Sequence, residues 1–140
     1  MDETAQREDR NKHLEFIQSV IARLANNSFL MKGWAITVSG AFFGFAVDRR
    51  SWRLAVLGIL PVVGFWFLDS YFLWQERLFR RLYNAVRQND PNVEAFSMNT
   101  ATFKLGERWA GSFRSVTLVG FYLAILIVGV CIAIAYRNVH

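Results

Sequence analysis

The sequence has few of the residues that most catalytic and metal sites require. It contains one cysteine, Cys131, so no disulfide can form within the chain. The two histidines, His13 and His140, leave too few nitrogen and sulfur ligands for the usual zinc site. There is no Ser/His/Asp set, no glycine-rich phosphate loop and no pair of carboxylates within one apolar block. We therefore expect no catalytic residue, no metal, no cofactor and no enzymatic activity.

Charged residues are also scarce, at 19% of the 140 residues, and they lie between long apolar blocks. The blocks cover residues 29–47, 54–74 and 116–136. Each is close to the ~20 residues with which a helix crosses a ~30 Å hydrocarbon core. Buried helices of a soluble protein are the alternative, but three such lengths leave too little chain to cover them. We predict an all-α membrane protein with three transmembrane helices.

The first two blocks are joined by a short linker, residues 48–53. Such a linker predicts a tight antiparallel helical hairpin. The second helix continues without a breaker to about residue 88, where Asn89-Asp90-Pro91 ends it. The hairpin should therefore extend beyond the membrane, with residues 89–115 forming a cytoplasmic or interfacial loop before the third span.

Residues 1–28 have the pattern of an amphipathic helix. Its apolar stripe recurs at spacings of three and four: Leu14, Ile17, Ile21 and Leu24. The stripe either packs on another cytoplasmic helix or lipid headgroups, or binds a dedicated partner.

Lysine and arginine counts predict the orientation. Residues 1–28 hold four and residues 76–115 hold seven, whereas the linker and the C-terminal end hold four together. Because cytoplasmic segments carry the excess of these residues, we expect a cytoplasmic N-terminus and an outward C-terminus.

Arginines are concentrated directly after the second span, at Arg77, Arg80, Arg81 and Arg87. Beside a membrane such side chains set topology and contact anionic lipids. The net charge of +5 would also suit nucleic acid, but no nucleic-acid-binding module accompanies it. We expect anionic lipids as partners, a soluble cytoplasmic protein as a further candidate, and no nucleic acid.

Residues 92–114 mix aromatic and basic residues that suit the headgroup region, and the sequence leaves open whether they have a function or only return the chain to the membrane.

Two ionisable residues interrupt the apolar blocks, Lys32 in the first and Asp69 in the second. At the bilayer centre such a group costs about 2.5–3.5 kcal/mol on insertion scales. In a continuous hairpin the two residues lie equally far from the middle of the linker, and therefore at one depth near the cytoplasmic boundary. We predict an intramembrane charge pair. The alternatives are snorkelling of Lys32 to the interface and a hydrogen bond from Asp69 to Tyr71, Trp34 or water.

The same register matches two further pairs of opposite charge. It brings Arg23 near Glu76 and Glu15 near Arg87. A helix break at residues 26–28 would remove both matches but spare Lys32 and Asp69, which lie nearer the linker.

Span one carries a G-x-x-x-G motif formed by Gly40 and Gly44. This spacing flattens one helix face and permits close helix packing. The motif serves either a second copy of the chain or the hairpin itself. Span three has two similar small-residue pairs, Gly120 with Ala124 and Gly129 with Ala133. We predict a homo-oligomer.

Several stretches resemble a group of small uncharacterised bacterial integral membrane proteins. They are residues 16–34, with Asn27-Ser28-Phe29 and Lys32-Gly33-Trp34, the end of span two at Asp69-Ser70-Tyr71 and Gln75-Glu76-Arg77, and Phe96-Ser97-Met98-Asn99-Thr100. The resemblance covers most of the chain. Small membrane proteins of this build are often effectors of anti-phage defence, which is what the resemblance implies by analogy.

Three functions therefore remain open. The leading hypothesis is a bacterial inner-membrane protein that self-assembles and acts as a membrane-perturbing defence effector. The alternatives are a membrane anchor or accessory subunit for a soluble partner, and a small oligomeric ion-coupled transporter that uses Asp69.

Overall fold

The computed structural model describes residues 2–138, and this part of the chain is helical with no strand. The elements are α1 (Glu3–Asp48), α2 (Trp52–Arg87), a 3-10 turn (Ala101–Phe103), α3 (Trp109–Phe113) and α4 (Val116–Arg137). Three helices, α1, α2 and α4, are long and apolar enough to span a membrane, with mean hydropathies of 1.4, 1.8 and 2.8 in their apolar windows. The predicted class, an all-α membrane protein with three spanning helices, is confirmed. His140 lies outside the described residues.

The boundary predicted near residue 28 is not a break, because α1 is one continuous helix of 46 residues. Residues 25–28 contain neither proline nor glycine, and asparagine and serine weaken a helix by only about 0.5 kcal/mol each. At about 1.5 Å per residue α1 is roughly 70 Å long, more than twice the ~30 Å hydrocarbon core. We call the part outside the apolar blocks the stalk, comprising residues 3–28 of α1 and residues 75–108.

Both long helices end in the same backbone motif. After α1, Arg50 adopts a left-handed φ of 48°, and the Ser51 N–H bonds to the Ala46 carbonyl. After α2, Asn89 has a φ of 55°, and the Asp90 N–H bonds to the Ala85 carbonyl. This is the Schellman arrangement, in which a left-handed residue closes the last turn. The predicted breaker at residues 89–91 therefore ends α2 at Arg87.

The stalk has its own small core. Ile17, Leu82 and Val86 are buried together, and Leu14 and Ile21 pack around them. The apolar stripe of residues 1–28 therefore packs on α2, which is the first of the two alternatives that the sequence left open.

In the membrane part, the Phe43 ring of α1 fits between a glycine of α2 and a glycine of α4. A Cβ on Gly58 of α2, or on Gly129 of α4, would approach the Phe43 ring of α1 to 2.7 Å. Only glycine at both positions allows the three helices to meet at this point. A second core lies towards the stalk and contains Ala35, Val62, Leu118 and Tyr122.

Candidate functional site

Asp69 is the best-buried acidic or basic side chain of the membrane part. It lies in α2 with none of its side chain exposed, and its Oδ2 is 2.6 Å from Lys32 Nζ in α1. Lys32 keeps 21% of its side chain exposed, so the charge pair is closed on one side and reaches the surface on the other. The structure thus brings together the two residues that the sequence count placed at one depth.

Two hydroxyl groups complete the surroundings of Asp69. The Ser28 hydroxyl donates to Asp69 Oδ1, and the Tyr122 hydroxyl donates to Oδ2 at 3.0 Å. Lys32 Nζ also donates to Ser28 Oγ at 3.0 Å. Ser28 and Lys32 come from α1, Asp69 from α2 and Tyr122 from α4, so this polar cluster joins all three spanning helices.

Trp34 and Tyr71, two of the alternatives predicted for Asp69, are not its partners. Trp34 and Tyr71 are both exposed, and the Tyr71 hydroxyl accepts a hydrogen bond from Gln75 instead. Equal distance from the linker fixes depth along the hairpin, but it does not fix rotation about the helix axis, which decides which side chains face inward. Ser28 could have been predicted from the sequence as a partner, because it precedes Lys32 by four residues and shares its helix face.

An aromatic stack covers the cluster on the side of α4. The Tyr122 ring lies parallel to Trp66 with centroids 5.9 Å apart, and Trp66 lies parallel to Phe113 at 4.7 Å. The Trp66 indole N–H also donates to the Phe113 carbonyl at 3.3 Å. The short helix α3 therefore packs against Trp66 of α2, whose ring lies against Tyr122.

The segment between α2 and α4 is bound to α2 at two further points. The Trp74 indole N–H donates to the Glu107 carbonyl at 2.7 Å, and Arg81 Nη2 lies 2.8 Å from Glu107 Oε1. Trp109 and Phe113 pack on Phe67 of α2. Residues 89–115, predicted as a loop, thus contain two short helical elements that are anchored on α2.

The four arginines that follow span two divide into two pairs. Arg80 is bonded to Glu76 at 2.7 Å and Arg81 to Glu107, whereas Arg77 and Arg87 form no ion pair within residues 2–138. Arg77 is half-buried and Arg87 is exposed. Of the four, Arg87 is both exposed and without an ion-pair partner in the described chain.

The additional charge matches of the hairpin register are wrong as ion pairs. Glu76 is bonded to Arg80 of its own helix and not to Arg23, and no Glu15–Arg87 pair occurs in the described chain. A partner four residues along one helix is in reach at any hairpin register, whereas Arg23 must also face α2. Arg23 and Glu15 are both exposed.

The glycines of the G-x-x-x-G motif do not contribute to the fold of one chain. Gly40 and Gly44 are exposed, and a Cβ on either would meet no atom within 4 Å. The hairpin interface is formed instead by another face of α1, with Ala35, Ser39 and Phe43. The sequence left two roles for the motif, packing against a second copy of the chain or packing inside the hairpin. In this structure the motif does not pack inside the hairpin.

The polar cluster can hold side chains and helices in position. A carboxylate that accepts hydrogen bonds from one ammonium and two hydroxyl groups is held in place, and it joins three helices. Within residues 2–138, no three His, Cys, Asp or Glu side chains lie close enough together to hold a metal ion.

Comparison of the chain with protein-family models, with curated proteins and with solved structures gave no match.

Proposed function

We propose that this chain is a bacterial inner-membrane protein that assembles from several copies, with the glycine face of α1 as the seam. The observation that carries the proposal is the open surface at Gly33, Gly40 and Gly44, where an added Cβ would meet nothing within 4 Å. Spacings of seven and four residues place the three glycines on one side of the helix.

Lipid chains pack poorly into the notch that such a face leaves, whereas a second helix can approach it closely. Association of helices in a membrane relies on this close packing, because lipid tails are as apolar as leucine side chains. The face lies away from the α2 contact of α1 and stays available after the chain has folded. The polar cluster supports the same proposal, because it fixes α1 against its neighbours and presents the glycine face rigidly.

Cross-linking in native membranes tests the seam. We expect a ladder of defined oligomers that is lost or shortened in Gly40→Leu/Gly44→Leu. Gly64→Leu is the matched control, because Gly64 of α2 is also exposed and also has open space around it. An unchanged ladder in the double variant, or an equal loss in the control, would contradict the α1 seam.

The defence role rests on the resemblance to small bacterial membrane proteins, and membrane perturbation is its testable part. Purified protein in liposomes should release an enclosed dye, and the double glycine variant should release less. Liposomes that stay sealed at protein densities where oligomers form would contradict membrane perturbation and favour a role as a membrane anchor.

The membrane anchor for a soluble partner is the second candidate function, and the stalk favours it. Residues 3–28 alone would extend about 39 Å at 1.5 Å per residue. Such a projection is longer than a hairpin needs in order to cross the membrane, and it places a protein surface well away from the lipid. A transporter that uses Asp69 is less well supported, because the carboxylate is already engaged by Lys32, Ser28 and Tyr122.

A further inference from the structure

Among the large apolar side chains of residues 2–138, Leu105 is the most exposed, at 95%. It lies between the 3-10 turn and α3, in a segment of residues 104–108 that we call the loop tip. Lys104 and Arg108 stand at the two ends of the loop tip. Both are exposed, and neither forms an ion pair in the described chain. The loop tip thus presents one leucine between two unpaired cations.

The backbone of the loop tip is fixed on α2. Arg81 Nη2 donates to the Gly106 carbonyl at 3.2 Å and to Glu107 Oε1 at 2.8 Å. The Trp74 indole N–H donates to the Glu107 carbonyl. A Cβ on Gly106 would approach Arg81 Nη1 to 2.5 Å, so glycine permits this close contact. The exposure of Leu105 is therefore a feature of an anchored segment.

These contacts place the loop tip at the edge of the second apolar block. Trp74 is the last residue of that block, and Arg81 lies seven residues, about 10 Å, further along α2. Glu107 bonds to both, so it lies at a depth between them. Trp109, which follows the loop tip, packs on Phe67 inside the apolar block. In a bilayer with a ~30 Å hydrocarbon core and a total thickness of about 40–45 Å, this depth is the headgroup layer.

The charge of the loop tip suits an anionic lipid. Its one carboxylate, Glu107, is already paired with Arg81, so the two unpaired cations give it a net positive charge. Lysine and arginine near the membrane surface attract anionic lipids. A phospholipid presents phosphate oxygens to such cations and acyl chains to a leucine just beneath them. A soluble protein would have to displace the headgroups before it could cover Leu105.

We propose that the loop tip binds an anionic phospholipid of the membrane that the chain spans. Lys104 and Arg108 pair with the lipid phosphate, and Leu105 lies against the upper part of an acyl chain. Arg81, which the sequence predicts as a lipid contact itself, holds the loop tip in place instead. The loop tip is bound to α2 and shares no residue with the glycine face of α1, so this site does not depend on the proposed assembly.

Spin labels on single cysteines, in a Cys131→Ser background, test the depth of Leu105. In liposomes of phosphatidylglycerol and phosphatidylcholine, a label at Leu105→Cys should be more accessible to oxygen, which concentrates in lipid, than to a water-soluble nickel chelate. Ala95→Cys is the matched control, because Ala95 is exposed in the stalk beyond the end of α2, and it should show the reverse. Equal access of the nickel chelate to both labels would overturn the proposal and leave Leu105 as a surface for a soluble protein.

Native mass spectrometry of the delipidated full-length protein tests the headgroup preference. We expect phosphatidylglycerol to bind more tightly than phosphatidylcholine, and Lys104→Gln/Arg108→Gln to weaken the binding of phosphatidylglycerol by about tenfold or more. The matched control is Lys12→Gln/Arg87→Gln, which removes the same two side-chain types from exposed positions of α1 and α2 further from the apolar blocks. It should change the affinity by less than about twofold. Equal losses in the two variants, or no preference of the unaltered protein for phosphatidylglycerol, would contradict a lipid site at the loop tip.

Discussion

Asp69 is fully buried while Lys32 is partly exposed, and this difference predicts unequal effects of removing either partner. Lys32→Met leaves a buried carboxylate with two hydroxyl donors, and breaking a fully buried pair from one side costs about 3–5 kcal/mol. Asp69→Asn leaves a lysine that can extend to the headgroup layer, and the amide oxygen can still accept from Ser28 or Tyr122. We expect Lys32→Met to lower the melting temperature in detergent more than Asp69→Asn does.

The double variant Lys32→Met/Asp69→Asn is the control for this prediction. It removes both charges, so it should recover part of the loss seen in Lys32→Met. The difference from additivity measures the coupling between the two residues. Losses that simply add would show that the pair contributes no coupling, and Asp69 would then need a different explanation.

The Tyr122 hydroxyl contributes separately from the Tyr122 ring. Tyr122→Phe removes the donor to Asp69 but keeps the ring that stacks on Trp66. A hydrogen bond to a charged group is worth about 1.5–3 kcal/mol, so we expect a loss of that order in the free energy of unfolding. Tyr136→Phe in the same helix is the control, because Tyr136 forms no side-chain hydrogen bond within residues 2–138, and it should have little effect. Equal effects of the two substitutions would contradict the bond to Asp69.

Counting residues from the linker was sufficient to place Lys32 and Asp69 together, because two helices of a hairpin advance by the same rise per residue. The same count could not identify Tyr122, since the third helix is connected through residues 88–115, whose path is not periodic. Arg23 and Glu15 show the same limit within the hairpin, because depth was matched but rotation was not. At this scale the sequence predicts the charge pair and, through its spacing from Lys32, could indicate Ser28, whereas Tyr122 is seen only in the structure.

At the scale of helices, close packing depends on Gly58 and Gly129. A Cβ at either position would meet the Phe43 ring at 2.7 Å, and Phe43 is itself buried between α2 and α4. The ring has no free space on either side, so we expect Gly58→Ala and Gly129→Ala each to destabilise the protein by about 1–3 kcal/mol, as overpacked cores do. Thermal unfolding in detergent measures this loss.

Two kinds of control belong with the glycine substitutions. Gly64→Ala and Gly120→Ala add a Cβ where no atom lies within 4 Å, so they should be neutral or stabilising, since alanine favours a helix by about 0.5–1 kcal/mol over glycine. Phe43→Leu combined with Gly129→Ala should recover part of the loss, because the two closest atoms to a Cβ on Gly129 belong to the Phe43 ring and the smaller side chain leaves room for it. A loss of equal size at Gly64 would contradict a role of close packing.

The three long helices were predictable from the apolar blocks, whereas the short helix α3 was not. Its five residues, Trp109–Phe113, include Gly111 and are too few to form a helix on their own. Contacts of Trp109 and Phe113 with α2 hold this short helix, and such contacts cannot be seen in a local pattern. The continuity of α1 was not predicted either, because a boundary was placed at residue 28, although residues 25–28 contain neither proline nor glycine.

At the scale of the whole molecule, the structure separates the chain into two ends. The stalk gathers the N-terminal half of α1, the end of α2 and the segment before α3 at one end. The turn at residues 49–51 and the last residues of α4 lie at the other end, because Tyr122 meets Asp69 while Gly129 meets Phe43, nearer the turn. The eleven lysines and arginines counted in residues 1–28 and 76–115 therefore share one end, against four outside these segments and the spans.

This charge asymmetry predicts the orientation in the membrane. The end richer in lysine and arginine should face the cytoplasm, so the turn and the end of α4 should face outward. Cys131 is the only cysteine, and Cys131→Ser provides a background for single-cysteine labelling. In intact spheroplasts, a membrane-impermeant maleimide should label Ser51→Cys and Asn138→Cys but not Glu8→Cys, whereas all three should react after lysis. Labelling of Glu8→Cys before lysis would reverse the orientation.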